Sequence, residues 1–322
     1  MESERQIAGR ADLTYIGSGL VRPECVLAVA SGELFVANGN GGVSTIWPDG
    51  RVDTLIARDA PSDFKPNGIA LLADRSFAIA NLGEDGGVWN LRRDGVLSPM
   101  LQRVDGWDLP PTNFVGLDNL GRLWVTVSTR RNPRNQSLSK DVAPDGCVIL
   151  IDEGGARIVA DDIAYTNEAK VDPSGAFLYI NETVGRRLVR HLLRPDGELG
   201  ARETVAEFGH GTFPDGMDFD NAGGVWITSV VSNRLIRVDT VTGDTTLVFE
   251  DAEAKHLAEA EDIFRSGRPA RLDPGKGRLG NIASLAFGGP DMRTIYLGTL
   301  GEETLPVLRL QWTGAQPPHW NF

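Results

Sequence analysis

Six segments of this chain follow one template. They are PECVLAVASGELFVAN (23–38), PNGIALLADRSFAIAN (66–81), TNFVGLDNLGRLWVTV (112–127), TNEAKVDPSGAFLYIN (166–181), PDGMDFDNAGGVWITS (214–229) and IASLAFGGPDMRTIYLGT (282–299). Each opens on a short apolar strand, turns through Asp, Gly, Ser or Pro, and re-enters a strand rich in Val, Ile, Phe and Trp. A recurring unit of this kind cannot bury its apolar face alone and must stack on its neighbours, so the period constrains the fold more than any local motif does. Between the units lie further strand–turn–strand pieces, such as VSTIWPDGRVDTLI, GVWNLRRDGVLSPML and RLIRVDTVTGDTTLVFE. Four strands per repeat, recurring in steps of 43 to 68 residues, describe the blade of a propeller.

The expectation is therefore an all-β fold: a six-bladed β-propeller with four-stranded antiparallel blades, forming one domain over residues 1–322. Length alone would suggest two domains, but closed β folds of this size form single units. The 38 glycines among 322 residues are scattered through turn-like stretches and agree with many tight turns. A β-sandwich is the alternative, and it gives no reason for six repeats in phase.

Two steps are long. The segment 128–146 (STRRNPRNQSLSKDVAPDG) is polar with a basic cluster and reads as an irregular loop. The segment 251–267 (DAEAKHLAEAEDIFRSG) is rich in helix formers, with Leu257, Ala260, Ile263 and Phe264 at helical spacing, and reads as one inserted helix. Long insertions in compact folds act as binding loops or lids, or simply decorate the surface.

One position near the front of the template is polar in five repeats of six. In order it reads Glu24, Asn67, Asn113, Asn167, Asp215 and Ala283. It leads a strand aromatic by 11 residues in three repeats, to Phe35, Trp124 and Trp226. In a propeller the first strand of each blade lines the central channel, so these side chains converge on the axis at one end. Two carboxylates and three amides are hard oxygen donors. Packed together without a counter-charge, the carboxylates would repel and one would protonate. A divalent cation removes that conflict, and all-oxygen ligation suits calcium, magnesium or manganese better than a structural zinc site does. The competing reading is that the Asn and Asp side chains cap turns or bond neighbouring blades.

Composition excludes several functions. Against 32 Lys and Arg stand 44 Asp and Glu, a net charge of −12, which disfavours binding to nucleic acid or to an anionic membrane. No apolar run is long enough for a transmembrane span, and MESERQIAGRADL has no signal-peptide core. Only Cys25 and Cys147 are present, without metal-type spacing, which points to a reduced, cytoplasmic protein. No P-loop or dinucleotide fingerprint follows a strand, and Ser128 and Ser229 lack a nucleophile-elbow setting. His210, in FGHGTFPDG, should rim the channel and could relay protons or touch substrate, or sit at the surface. Cys25 should be a packed free thiol, and Glu182 a structural contact.

From about Gly19 to Leu310 the sequence resembles the gluconolactonase family that includes senescence marker protein (regucalcin). FPDGMDFDNAGGVWITSVVSNRLIRVDTVTG is the most specific piece of the resemblance. The resemblance implies a six-bladed propeller with a single divalent metal at the top of the channel. Glu24, Asn167 and Asp215 would be its ligands, Asn113 would face substrate or water, and Asp215 would double as catalytic base. Calcium is the first expectation for the ion, with magnesium, manganese, zinc and iron as alternatives. The sugar-lactone members carry an Arg two residues before the Asn matched here by Asn113, and an Asp one residue after it. Those positions are Pro111 and Phe114. The expected substrate contacts are therefore Asn113, Phe114, Asn67 and His210, and the expected substrate is a lactone or ester less polar than a simple sugar lactone. Hydrolysis of another electrophile, such as an organophosphate ester, and a non-catalytic ligand- or protein-binding propeller are the alternatives. Oligomeric state is not legible.

Overall fold

Strand-forming segments separated by Gly- and Asp-rich turns pair with their sequence neighbours, and the computed structural model, which describes residues 7–272 and 279–322, shows six four-stranded antiparallel sheets built in this way. The innermost strands are Val26–Ala28, Pro66–Leu71, Phe114–Leu117, Thr166–Val171, Pro214–Phe219 and Ile282–Gly288. They neighbour one another around a central channel, as blades of a propeller do. The outer strands Val52–Ile56 and Leu97–Leu101 contain only half-buried and exposed residues, because they lie at the rims of their blades. Five blades take their strands in chain order. The sixth recruits Thr14–Ile16, from before the first repeat, as its outermost strand against Leu305–Arg309, with Tyr15 opposite Pro306. That strand closes the ring.

The repeated aromatics pack between blades. Phe35 meets Phe77 edge-on at 5.3 Å, Tyr179 meets Phe219 at 5.6 Å and Trp226 meets Phe287 at 5.4 Å. Such pairs contribute roughly 0.5–1.5 kcal/mol beyond the area they bury. The D-x-x-G turn has its own reason to recur. Asp118 accepts from the backbone N–H of Leu120 and Arg122 and from Trp124 Nε1 (2.9 Å), and Asp220 does the same with Ala222, Gly224 and Trp226 Nε1 (2.8 Å). One carboxylate thus fixes the turn and satisfies the buried indole of the following strand. Gly121 and Gly223 take the left-handed conformation at the end of each turn, with φ of 77° and 78°.

The segment read as an inserted helix forms one, Ala254–Arg265, the only α-helix among the described residues. Its buried face is Leu257, Ala260, Glu261 and Phe264. The other insertion contains a short 3-10 turn, Arg134–Ser137. The two insertions touch: Ser139 Oγ donates to Gly267 O (2.6 Å) and Ala270 N to Leu138 O (2.7 Å). Ala260 and Phe264 of the helix pack in one cluster with Phe213 and Ala283, at the end of the channel where the inner strands begin.

Candidate functional site

The ring position sits at the start of the inner strand or, for Glu24 and Asn113, just before it, and four of the six strands carry a register irregularity there. The breaks fall between Pro66 and Ile69, Thr166 and Ala169, Pro214 and Met217, and Ile282 and Ser284. An irregularity of this kind re-aims a side chain out of the normal alternation. Here the re-aimed residues are Asn67, Asn167, Asp215 and Ala283. Glycine follows the ring residue in two blades because neighbouring inner strands touch there. A Cβ on Gly68 would lie 2.6 Å from Phe114 Cα, and one on Gly216 would lie 2.5 Å from Ala283 O.

Glu24, Asn67, Asn113, Asn167 and Asp215 are all buried and line one cavity of about 170 Å³, whereas Ala283, buried as well, does not line it. The amides form a chain around it. Asn67 Nδ2 donates to Glu24 Oε1 (2.9 Å) and to Asn113 O (2.7 Å), Asn113 Nδ2 to Asn167 Oδ1 (2.8 Å), and Asn167 Nδ2 to Thr183 Oγ1 (3.0 Å). Asn67 is therefore both a bridge between blades and part of the cavity wall. Glu24 Oε2 is buried without a hydrogen bond, and no hydrogen bond reaches the Asp215 carboxylate among the described residues. Burial, then the charges of Glu24 and Glu168, push the Asp215 carboxyl well above the usual carboxylate range. Burial raises Glu24 as well, against the opposing pull of Arg22 and Arg134.

Among the described residues no group of three or more His, Cys, Asp and Glu forms a metal site on its own. The donor set here is mixed, with two carboxylates and neighbouring amide oxygens, each of which has a second lone pair free beside its present hydrogen bond. A buried carboxylate oxygen without a hydrogen bond, touched only by Arg22 Nη1 at 3.5 Å, and a second carboxylate held off its normal ionisation suit a hard divalent cation. Glu24, Asn167 and Asp215 could hold it.

The remaining expected contacts lie elsewhere. His210 is exposed and outside the cavity, where its carbonyl accepts from Arg234 Nη1 (2.7 Å). Neither Pro111 nor Phe114 lines the cavity. Phe114, next along the strand from Asn113, lines a second cavity of about 70 Å³ further down the channel, with Cys25, Glu168, Lys170 and Asp218. Residues 315–319 also line that lower cavity. Lys170 Nζ there pairs with Glu168 (3.2 Å) and stands 5.7 Å from the Phe114 ring centroid. Burial, opposed by Lys170, pushes the Glu168 carboxyl up to about 7. Cys25 is a buried free thiol whose sulfur accepts from Ile69 N, and Glu182 is fully buried against Arg187 (3.0 Å).

Sequence reasoning missed the upper wall of the first cavity. Arg22, Arg134, Tyr165 and Thr183 supply polar groups, and Leu82, Val230, Leu272 and Leu300 supply apolar ones. Arg134 comes from the 128–146 insertion. Its Nη2 donates to Asn113 Oδ1 and to Ser128 Oγ, both at 3.1 Å, and its Nε to Tyr165 Oη (2.9 Å). A signal for some of these residues existed. Two places before the ring position the repeats carry Arg22, Lys65 and Tyr165, in phase with Glu24, Asn67 and Asn167.

Comparison with known proteins agrees with this architecture. A gluconolactonase from Xanthomonas campestris superposes with a TM-score of 0.66 at 19% identity, over 92% of this chain and 89% of its own. A calcium-binding regucalcin from Agrobacterium tumefaciens gives 0.66 at 19%, over 95% and 99%. In sequence, a 6-deoxy-6-sulfogluconolactonase of Pseudomonas putida is 28% identical over 215 residues, which is 66% of this chain and 62% of that protein. A Bacillus subtilis relative is 23% identical over 213 residues, 61% of its own length. The defining pattern of the SMP-30/gluconolactonase/LRE-like region matches residues 22–250, more than half of the chain and all five polar ring positions. The chain belongs to the SMP-30/gluconolactonase/LRE-like family.

Proposed function

We propose that this protein is a divalent-metal-dependent lactonase, which opens a cyclic ester to a hydroxy acid with water. The observation that carries the reading is the convergence of Glu24, Asn67, Asn113, Asn167 and Asp215 on one cavity, in a chain whose family is named for gluconolactonase. Glu24, Asn167 and Asp215 would hold the ion, with calcium first among the candidates for an all-oxygen set. When bound, the ion would polarise the lactone carbonyl and make water more acidic.

The chain's own residues do the rest. The Asp215 carboxylate, free of hydrogen-bond donors, takes a proton from water as the water oxygen bonds to the carbonyl carbon. The ring C–O bond then breaks, and the same proton passes to the departing ring oxygen. Asn113 and Asn167 orient water and substrate through their amides. Leu82, Val230, Leu272 and Leu300 keep bulk water from the reacting carbon and offer no partner to sugar hydroxyls. A ring with fewer hydroxyl groups than a simple sugar lactone fits those walls, and Pro111 and Phe114 are not needed for the preference.

The test is a pH-indicator assay over lactones of graded polarity, run with calcium, magnesium or manganese and with chelator. Turnover that depends on metal and favours the less hydroxylated rings is expected. Lactones left intact with every metal would overturn the reading, and a preference for the most polar sugar lactones would overturn the substrate class alone.

A further inference from the structure

The cavity has two electrostatic layers. Its floor holds the carboxylates of Glu24 and Asp215, and its rim holds Arg22 and Arg134 with Lys65 beside them. Arg22 and Lys65 occupy the same repeat position, two residues before the ring, in adjacent blades. Arg134 arrives from the 128–146 insertion and completes the group.

These cations make few close ion pairs of their own. Arg134 donates only to neutral oxygens, those of Asn113, Ser128 and Tyr165. Arg22 donates from Nη2 to Asn67 Oδ1 (2.7 Å), and its carboxylate contact is Glu24 at 3.5 Å. Lys65 takes no ion-pair contact with its ammonium among the described residues. Partial desolvation, then the charges of Arg22 and Arg134, hold that ammonium below its ordinary range. Three cations crowd one rim in a chain of net charge −12, so the surface as a whole does not explain them. Glu24 and Asp215 attract these cations from the floor, but a divalent ion held by those two carboxylates would match their charge and leave the three rim cations to an anion that visits the cavity.

We infer that Arg22, Lys65 and Arg134 form an anion subsite, and that the substrate is a hydroxyl-poor lactone carrying a carboxylate-like group. The anion sits between the guanidiniums and the ammonium while the lactone carbonyl points to the floor. Arg134 suits the role because a planar guanidinium binds a carboxylate through two parallel hydrogen bonds. This rests on the lactonase reading for the reaction, but not for the anion site itself.

The probes are γ-butyrolactone bearing a carboxylate on the carbon next to the ring oxygen, and the matching neutral carboxamide. With calcium-loaded full-length protein at low salt, kcat/KM for the acid should exceed that for the amide by about tenfold or more. The ratio should fall towards one in both Arg134→Gln and Lys65→Gln, and should shrink in the wild type as salt is added. Equal rates for acid and amide in the wild type, or a ratio untouched by both substitutions, would remove the anion subsite and leave the lactonase reading standing. If neither probe is hydrolysed, calorimetric titration of the same two compounds decides. Tighter binding of the acid, weakened by both substitutions, keeps the subsite and sinks the lactonase reading; no preference in binding sinks both.

Discussion

At the scale of single residues, the two buried carboxylates of the ring are distinguishable by experiment. Asp215→Asn keeps an oxygen that can reach an ion but removes the proton acceptor. Turnover should fall by about 10²–10⁴-fold even at saturating metal, with the fold intact by circular dichroism. Glu24→Gln removes one charge from the floor without touching the proposed base. It should lose metal affinity first and regain much of its rate in excess calcium. If both variants respond alike to added metal, Asp215 is only a ligand. The turn aspartates make a separate prediction about stability. Burial opposes ionisation of Asp220, yet hydrogen bonds from Arg237, Trp226 and Gly224 hold its pKa below the ordinary Asp range. Its stabilising contribution is therefore present at neutral pH and is lost only as pH falls through that depressed value. Asp220→Ala leaves Arg237 and the Trp226 indole without their acceptor and should cost about 3–5 kcal/mol at neutral pH. Urea titration of variant and wild type should show that gap narrowing in acid, and a gap that stays constant with pH would refute the assignment.

At the scale of elements, the inserted helix Ala254–Arg265 is held by one buried carboxylate as well as by its apolar face of Leu257, Ala260 and Phe264. Glu261 accepts from Arg186 Nη1 (2.9 Å), from the Gly211 N–H (3.0 Å) and from Arg265 Nε (2.8 Å). Arg186 lies 5.1 Å from the Phe213 ring centroid and 4.9 Å from that of Phe264, and the two rings meet edge-on at 5.4 Å. Phe213 stands two residues before Asp215, so this cluster ties the helix to the strand that carries the proposed base. Glu261→Ala strands a buried guanidinium and should cost about 3 kcal/mol or more. Amide exchange should speed up together over the helix and over residues 209–213, while the distant first blade keeps its protection. Exchange confined to the helix would mean that the helix is only appended to the propeller.

At the scale of the whole molecule, ring closure depends on three residues that lie outside every repeat. Without Thr14–Ile16, the strand Leu305–Arg309 becomes an unpaired edge, and such edges invite aggregation. Deleting residues through Ile16 should lower Tm by about 5 °C or more and promote association, read by calorimetry and light scattering. An unchanged Tm and a monodisperse product would show that the blades hold the ring without that strand. The sequence by itself determined the repeat, its six-fold count, the inserted helix and the in-phase row Glu24, Asn67, Asn113, Asn167 and Asp215, because strand alternation, turn residues and helix spacing are local and periodic. Tertiary structure alone decided which end of the channel each neighbouring side chain faces. Asn113 and Phe114 are adjacent in the chain, yet one lines the upper cavity and the other the lower. It also decided that Arg134, 21 residues beyond Asn113 in an insertion without periodicity, bonds back onto it, while His210, five residues from Asp215, stays outside. A repeat encodes the contacts that recur. Contacts made once, between segments far apart in the chain, depend on how the closed ring brings those segments together, and no local pattern records them.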